Sequence, residues 1–322
     1  MLSVSGVFVA VIDEWLCRAG YSASPLCFAI RRIRPDQSVD IPTVDGFLKE
    51  AVEITGERLA PLMIGKSIGR QHLGAIGHML ESVQTLEEML NAYVFYERLF
   101  YGGSIANVRR DIKGMALYWS VDSVPEHYAC FAMSSFVEIT RQVGVGDSAV
   151  ASVSFPFEDK QYQQSYCREM GVNEVVFGQD LGLLFHRNAL QLSLQTEAVN
   201  SKSALIKEIL PEIAHLDFVT QLYDEVVSAL PHKQATLKRI AKKIMVSERT
   251  LQRRLQGSDD GLRGVVNRIR MHLARRYLQD KGMNLVAVSL LLGYSEQSAF
   301  QLAFKRYHGM SPGRWRKGNI EC

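Results

Sequence analysis

One local plan occurs twice in the last third of this chain, and that recurrence constrains the fold more than any other feature. LKRIAKKIMV is a short helix whose Leu237, Ile240, Ala241 and Ile244 fall on one face, and SERTLQRRL follows it directly. Ser247 is an N-cap residue, and Leu251 and Leu255 point inward at i, i+4. Helix, tight turn and capped helix make a helix-turn-helix, in which the second helix lies in the DNA major groove. Further on, Leu285–Leu292 supplies an apolar first helix, Gly293-Tyr294 a turn, and Ser295 is expected to cap a second helix through QSAFQLAFKRYHG. On a helical wheel Phe300, Ala303, Phe304 and Tyr307 share a face, which predicts their burial.

Aligning Leu251 with Phe300 sets an offset of 49 residues between the two units. Arg249 then falls on Ser298, Gln252 on Gln301, Arg253 on Leu302 and Gln256 on Lys305. Between the units, Leu262–Gln279 is a helix with Val265, Val266, Ile269, Leu273 and Tyr277 on its core stripe. It would span ~27 Å at 1.5 Å per residue. A rigid spacer of that length holds two reading helices roughly one DNA turn apart, ~34 Å.

Charge points the same way. From His232 to Cys322 the chain carries 19 Lys and Arg against 6 Asp and Glu, a net of +13, whereas residues 1–231 carry 18 against 28, a net of −10. Such asymmetry implies that the last segment meets a polyanion and the rest does not.

The first 190 residues alternate helical and strand patterns. Helices are expected over Val7–Leu16, Val44–Ile54, Thr85–Phe100 (with a Thr85/Glu88 capping box), Pro125–Val143 and Tyr162–Met170. Strands are expected over Val108–Ile112 and Met115–Val121, an antiparallel hairpin around Lys113-Gly114, and over Ala149–Phe155, Glu174–Phe177 and Leu181–Phe185. This mixture predicts an α+β first domain and argues against a cupin-like barrel. Polar Glu197–Ser203 reads as a hinge, and Asp217–Leu230 as a helix ended by Pro231. The expected organisation is an α+β domain at 1–195, a linker at 196–216, and an all-α domain at 217–322 with helix-turn-helix units at about 236–256 and 285–307.

Other chemistry finds little support. The apolar run Val7–Ile12 ends at Asp13 without a basic lead-in, so neither a signal peptide nor a membrane span is expected. Five scattered cysteines never at CxxC spacing suggest reduced thiols, either idle or forming a redox switch. Gly65-Lys66-Ser67 mimics the end of a phosphate loop, but position 60 is alanine and no strand precedes it. His72 and His78 lack a third ligand at useful spacing, so no metal and no cofactor is expected. There is no GxSxG motif or cysteine elbow, which argues against an enzyme. Tyr93, Tyr96 and Phe100 form an aromatic stripe that is either core or the lining of an apolar effector pocket.

TLKRIAKKIMVSERTLQRRL, followed by LARRYL, LLGYSEQSAF, AFKRYHGMSP and a closing WR, resembles the DNA-binding domain of AraC/XylS-family transcription regulators over Thr236–Arg316. AVEITGERLAPLMIGKSIG, GHMLESVQTLEEMLNAY and VVFGQDLGLLFHRNALQLSL resemble the arabinose-binding-type N-terminal domain of the ornithine- and virulence-regulator branch. The resemblance implies a cytoplasmic bacterial regulator, an activator in type, that binds promoter DNA and acts on RNA polymerase. It also implies a first domain that senses a small molecule or joins two chains as a homodimer. The family's base readers correspond to Arg249, Gln252 and Arg253, and to Gln297, Ser298 and Gln301. The DNA-facing set is completed by Ser247, Thr250, Gln256, Glu296, Leu302, Lys305 and Arg306. Two positions depart from the family pattern: Leu302, where arginine is frequent, and Ala287, where an acidic residue is usual. Two alternatives stand beside this reading: a catalytic first domain targeted to DNA, and a constitutive DNA binder without an effector.

Overall fold

A computed structural model gives the architecture. It describes residues 3–73, 77, 80, 83, 85–100 (backbone only from 95), 106–110, 112, 114–119, 124–144, 146, 148–192, 194, 210, 216–256 (backbone only at 216 and 217), 260–280 and 282–318. The chain divides into two units, 1–195 and 196–322.

In the first unit a two-stranded antiparallel ribbon, β1 (Ser3–Ser5) with β2 (Ser38–Asp40), brackets helices α1 (Gly6–Arg18) and α2 (Pro25–Arg31). Neither the ribbon nor α2 announces itself in the sequence. Asp40 then caps α3 (Ile41–Thr55), its carboxylate accepting from Thr43 N at 2.8 Å. Next come α4 (Ala60–Lys66) and α5 (Leu86–Phe100), where the Glu88 amide donates to Thr85 Oγ1 at 3.2 Å as half of the expected capping box.

The sheet runs β3 (Ala106–Arg110), β4 (Gly114–Trp119), β7 (Leu181–His186), β5 (Val150–Phe155) and β6 (Val175–Phe177) in spatial order. Pairing is antiparallel except between β5 and β6. Its register sets Leu117 opposite Leu183 and Leu183 opposite Val153, so one face gathers alternate apolar side chains. Helix α6 (Glu126–Gln142) packs between the sheet and α4, burying Phe131, Met133, Phe136 and Val137, and α7 (Gln163–Met170) precedes β6. The unit is α+β, as its pattern of elements predicts.

Two weak motifs resolve here. Gly65 is buried in α4, where a Cβ would crowd the Phe131 carbonyl oxygen of α6, so Gly65-Lys66-Ser67 is a helix end at a close packing contact. His72 is buried; its Nδ1 accepts from Gly69 N at 2.9 Å and its Nε2 donates to Glu14 Oε1 at 2.9 Å. His78 and the hinge Glu197–Ser203 lie outside the described residues, as does most of the expected linker.

The second unit is helical throughout its described residues: α8 (Leu216–Ala229), α9 (Leu237–Lys243), α10 (Glu248–Arg254), α11 (Gly261–Gln279), α12 (Leu285–Leu291), α13 (Gln297–His308) and α14 (Pro312–Gly318). Helix α11 buries Val265, Ile269 and Leu273 together with Met271 and Leu278, so the apolar girdle is wider than one stripe. Helices α8, α12, α13 and α14 all pack against it, while α9 packs against α8 and α10. No helix among the described residues is long and apolar enough to cross a membrane.

Candidate nucleic-acid interface

The first pair, α9 and α10, is built by two side-chain caps. Thr236 Oγ1 accepts from Arg239 N at 3.4 Å, and Ser247 Oγ accepts from Thr250 N at 3.1 Å. Ile240, Ala241, Leu251 and Leu255 are buried as their spacing demands, while Leu237 is half-buried. The turn between the helices places Met245 at φ 55°, with its side chain 90 % exposed, and the Val246 amide returns to the Ala241 carbonyl at 3.0 Å.

The second pair copies this turn at an offset of 48. Asn284 caps α12 through Ala287 N at 2.8 Å, Gly293 takes the left-handed position at φ 75°, and the Tyr294 amide returns to the Ser289 carbonyl at 3.0 Å. The following helices correspond at 49, because Leu251 and Phe300 are both buried at the same helical position. One extra residue therefore stands in the second turn, and it is Ser295. This corrects the expected cap. Glu296, not Ser295, occupies the N-cap position of α13 and makes no side-chain cap bond. Its carboxylate accepts from Ser298 Oγ at 3.1 Å, while Ser295 Oγ accepts from Lys233 Nζ at 3.2 Å.

Gly293 is required twice over. Its φ lies where L side chains are strained, and a Cβ there would overlap the Leu230 carbonyl oxygen. Arg270, from α11, secures the same corner. Its Nε donates to Leu292 O at 2.9 Å and its guanidinium lies 5.1 Å over the Tyr294 ring. Burial holds Arg270 below the usual guanidinium range and pushes the Tyr294 phenol up. Arg316 ties α14 to the end of α11, donating to Leu278 O at 3.1 Å and Met283 O at 2.6 Å. Arg254 lies 4.7 Å over Phe218. All three arginines contribute to the basic excess of the last segment, yet Arg270 and Arg316 donate to backbone carbonyls within the unit and Arg254, though exposed, rests on Phe218. Composition cannot distinguish such roles.

On α10 and its flanks, Ser247, Arg249, Gln252, Arg253 and Gln256 are exposed and Thr250 is half-buried. On α13, Glu296, Ser298, Lys305 and Arg306 are exposed and Gln297 and Gln301 are half-buried. Leu302 is 62 % exposed at the centre of that face, so it does not pack into the core. The buried face of α13 holds Phe300 and Phe304 as expected, but Tyr307 is 49 % exposed and Ala303 only half-buried. The wheel misplaces Tyr307 because Gly309 ends the helix in a left-handed residue, so no further turn of helix covers it.

Of the aromatic stripe in the first unit, Tyr93 meets Phe136 edge-on at 4.9 Å and Trp119 at 6.0 Å, which makes it part of the α5–sheet–α6 packing. The side chains of Tyr96 and Phe100 lie outside the described residues.

Two exposed helices, each following a tight turn and joined in the chain through one long helix, define a pair of helix-turn-helix DNA-binding units. Residues 240–318 match the helix-turn-helix domain family, and residues 15–194 match the arabinose-binding domain of AraC transcription regulator, N-terminal. The chain belongs to the AraC family of transcription regulators.

Among its relatives, HTH-type transcriptional regulator VirS of Mycobacterium tuberculosis is 39 % identical over 87 residues, a match covering 27 % of this chain and 26 % of that protein. VqsM of Pseudomonas aeruginosa is 24 % identical over 261 residues, 76 % of this chain and 79 % of VqsM. The ornithine utilization regulator of P. aeruginosa is 30 % identical over 89 residues, 28 % of this chain and 26 % of that protein. Among solved structures, transcriptional regulator CdpR from P. aeruginosa aligns over 95 % of this chain and 98 % of its own, at 20 % identity and a TM-score of 0.41.

Proposed function

We propose that this protein regulates transcription by seating α10 and α13 in successive major grooves on one face of a promoter duplex, under the control of a small molecule bound by residues 1–195. The observation that carries the reading is the pair of solvent-facing sets, Arg249–Gln252–Arg253–Gln256 and Ser298–Gln301–Leu302–Lys305, at corresponding positions of two helices joined through α11. At 1.5 Å per residue, the 19 residues of α11 span ~28 Å, close to the ~34 Å between grooves one turn apart.

The two helices are chemically unequal. Arg253 suits the O6 and N7 acceptors of guanine, and Gln252 and Gln301 suit adenine. Leu302 offers only apolar contact, which suits a thymine methyl, and Lys305 suits a phosphate. The first helix pair therefore carries more of the base discrimination. Contact with RNA polymerase and self-association through the first unit follow from the family resemblance and are part of the same proposal.

The test is footprinting of the full chain on its promoter region with and without a metabolite panel, alongside thermal shift. Protection of two sites one turn apart, sharpened by a compound that is bound and left unchanged, supports the proposal. Turnover of the compound supports a catalytic first domain. Protection indifferent to every compound supports a constitutive binder.

A further inference from the structure

At the corner between α1 and α2, three side chains converge that the DNA-facing surface does not use. Asp13 and Cys17 come from the last two turns of α1, and Cys27 from the first turn of α2. A carboxylate oxygen of Asp13 and the two sulfur atoms all lie within 4.8 Å of one another. Arg31, one turn beyond Cys27, closes the group. Its Nη2 donates to Cys17 Sγ at 2.9 Å and its Nε donates to Asp13 Oδ2 at 3.0 Å. The two thiols differ sharply. Cys17 is half-exposed, and its sulfur lies between the Arg31 guanidinium and Asp13 Oδ1, to which its S–H donates at 3.5 Å. Cys27 is fully buried, with its S–H donating to Tyr21 O at 3.4 Å, and burial pushes its thiol up to about 11.

We propose that Cys17 and Cys27 are a peroxide-sensitive dithiol, with Cys17 the attacking sulfur and Cys27 the resolving one. The Cys17 thiolate displaces alkoxide or hydroxide from a hydroperoxide and becomes a sulfenic acid, and the released anion takes up a proton. The Cys27 sulfur then attacks the sulfenic sulfur, a disulfide forms, and the sulfenic oxygen leaves as water with the Cys27 proton. Overall, two thiols and one hydroperoxide give one disulfide, one alcohol or water, and a second water. A disulfide needs its sulfurs roughly 2 Å apart, so the pair must close from its present spacing by side-chain rotation. A metal centre fits the group less well. The Arg31 guanidinium already stands where a bound cation would add positive charge, and the Cys27 thiol would have to lose its proton in a buried setting.

Cys167 is the internal control. It is also half-exposed, but its sulfur has the Asn173 carbonyl at 4.0 Å as a partner, and burial pushes its thiol up. The experiment treats the reduced full chain with hydrogen peroxide for graded times, blocks remaining thiols with N-ethylmaleimide, and maps the peptides by mass spectrometry. The expected product is a Cys17–Cys27 disulfide, reversed by dithiothreitol and appearing at least ~10-fold faster than any change at Cys167. Cys27→Ser should leave Cys17 as a sulfenic acid that dimedone captures. Because Cys27 is buried, that variant is paired with Arg31→Met at a half-exposed side chain. Arg31→Met should slow the Cys17 reaction by about 10-fold and leave Cys167 unchanged. Equal rates at Cys17 and Cys167, over-oxidation of Cys17 without a crosslink, or Zn2+ held by the two thiols so that peroxide no longer reaches them would each overturn the proposal.

Discussion

Arg253 and Leu302 occupy corresponding positions on two reading helices, and the difference between them predicts how this protein divides its specificity. A bidentate arginine–guanine contact contributes about 1–3 kcal/mol of discrimination, and an apolar contact with a thymine methyl contributes less. Arg253→Ala should therefore weaken operator binding by ~1–3 kcal/mol and relax preference at one base pair of the first half-site. Leu302→Ala should change affinity less, and Leu302→Arg should move the preferred base opposite it toward guanine. Selection from a randomised operator library with each variant reads all three outcomes. Undiminished discrimination in Arg253→Ala would remove the first helix from base reading. The 62 % exposure of Leu302 makes the comparison clean, since neither substitution opens a cavity in the core.

At the scale of elements, the turns decide where those residues point. Gly293→Ala should destabilise the second unit by about 2 kcal/mol or more, because it combines a left-handed backbone with a clash against the Leu230 carbonyl. Urea unfolding followed by tryptophan fluorescence, to which Trp315 of α14 contributes from the second unit, measures this destabilisation. A second effect belongs to the end of α13. His308 sits 4.4 Å from the Phe304 ring and 4.9 Å from that of Tyr307, and burial holds its imidazole below the ordinary 6.5. The unfolded chain then binds this proton more readily than the folded one, so stability is full well above pH 6.5 and falls as pH drops through that value. His308→Gln should flatten that part of the pH–stability curve, and unchanged slopes would discount the histidine. Much of this architecture is legible in the sequence. The 3.6-residue stripes of α3, α8 and α11, the Ser247 cap and the Gly293 turn all state local rules that tertiary packing obeys. What escapes a sequence reading does so for a physical reason. Strands β1 and β2, of three residues, and helices α2 and α4, of seven, are short and lack the repeated plan that makes the equally short α9, α10 and α12 legible. Ser295 does not cap because a single register cannot describe two turns that differ by one residue. Arg254, Arg270 and Arg316 look like DNA-facing charge in composition, and only packing reveals their partners within the unit.

For the whole molecule, the charge division sets how binding depends on salt. Residues 232–322 carry 19 cationic side chains and a net of +13, which draws that segment to phosphate, and the net of −10 in residues 1–231 disfavours an approach of DNA to the first unit. Removing a single phosphate-bound cation lowers the magnitude of the slope of log Kobs against log salt by about 0.9. If all thirteen net charges met phosphate, that slope would approach about −12; arginines with inward partners should bring it nearer to between −5 and −9, the range for six to ten neutralised phosphates. Two variants separate the charge classes. Lys305, exposed on α13, should reduce the slope by about 0.9 when changed to alanine and weaken binding to every sequence alike. Arg270→Met removes the same formal charge, but that guanidinium serves Leu292 O and Tyr294, so it should lower the unfolding midpoint and leave the slope of the folded protein unchanged. Mobility shifts from low to moderate salt on an operator and on an unrelated duplex distinguish the two. Equal changes in slope would mean that charge alone, and not the seating of α10 and α13, governs how this protein meets DNA.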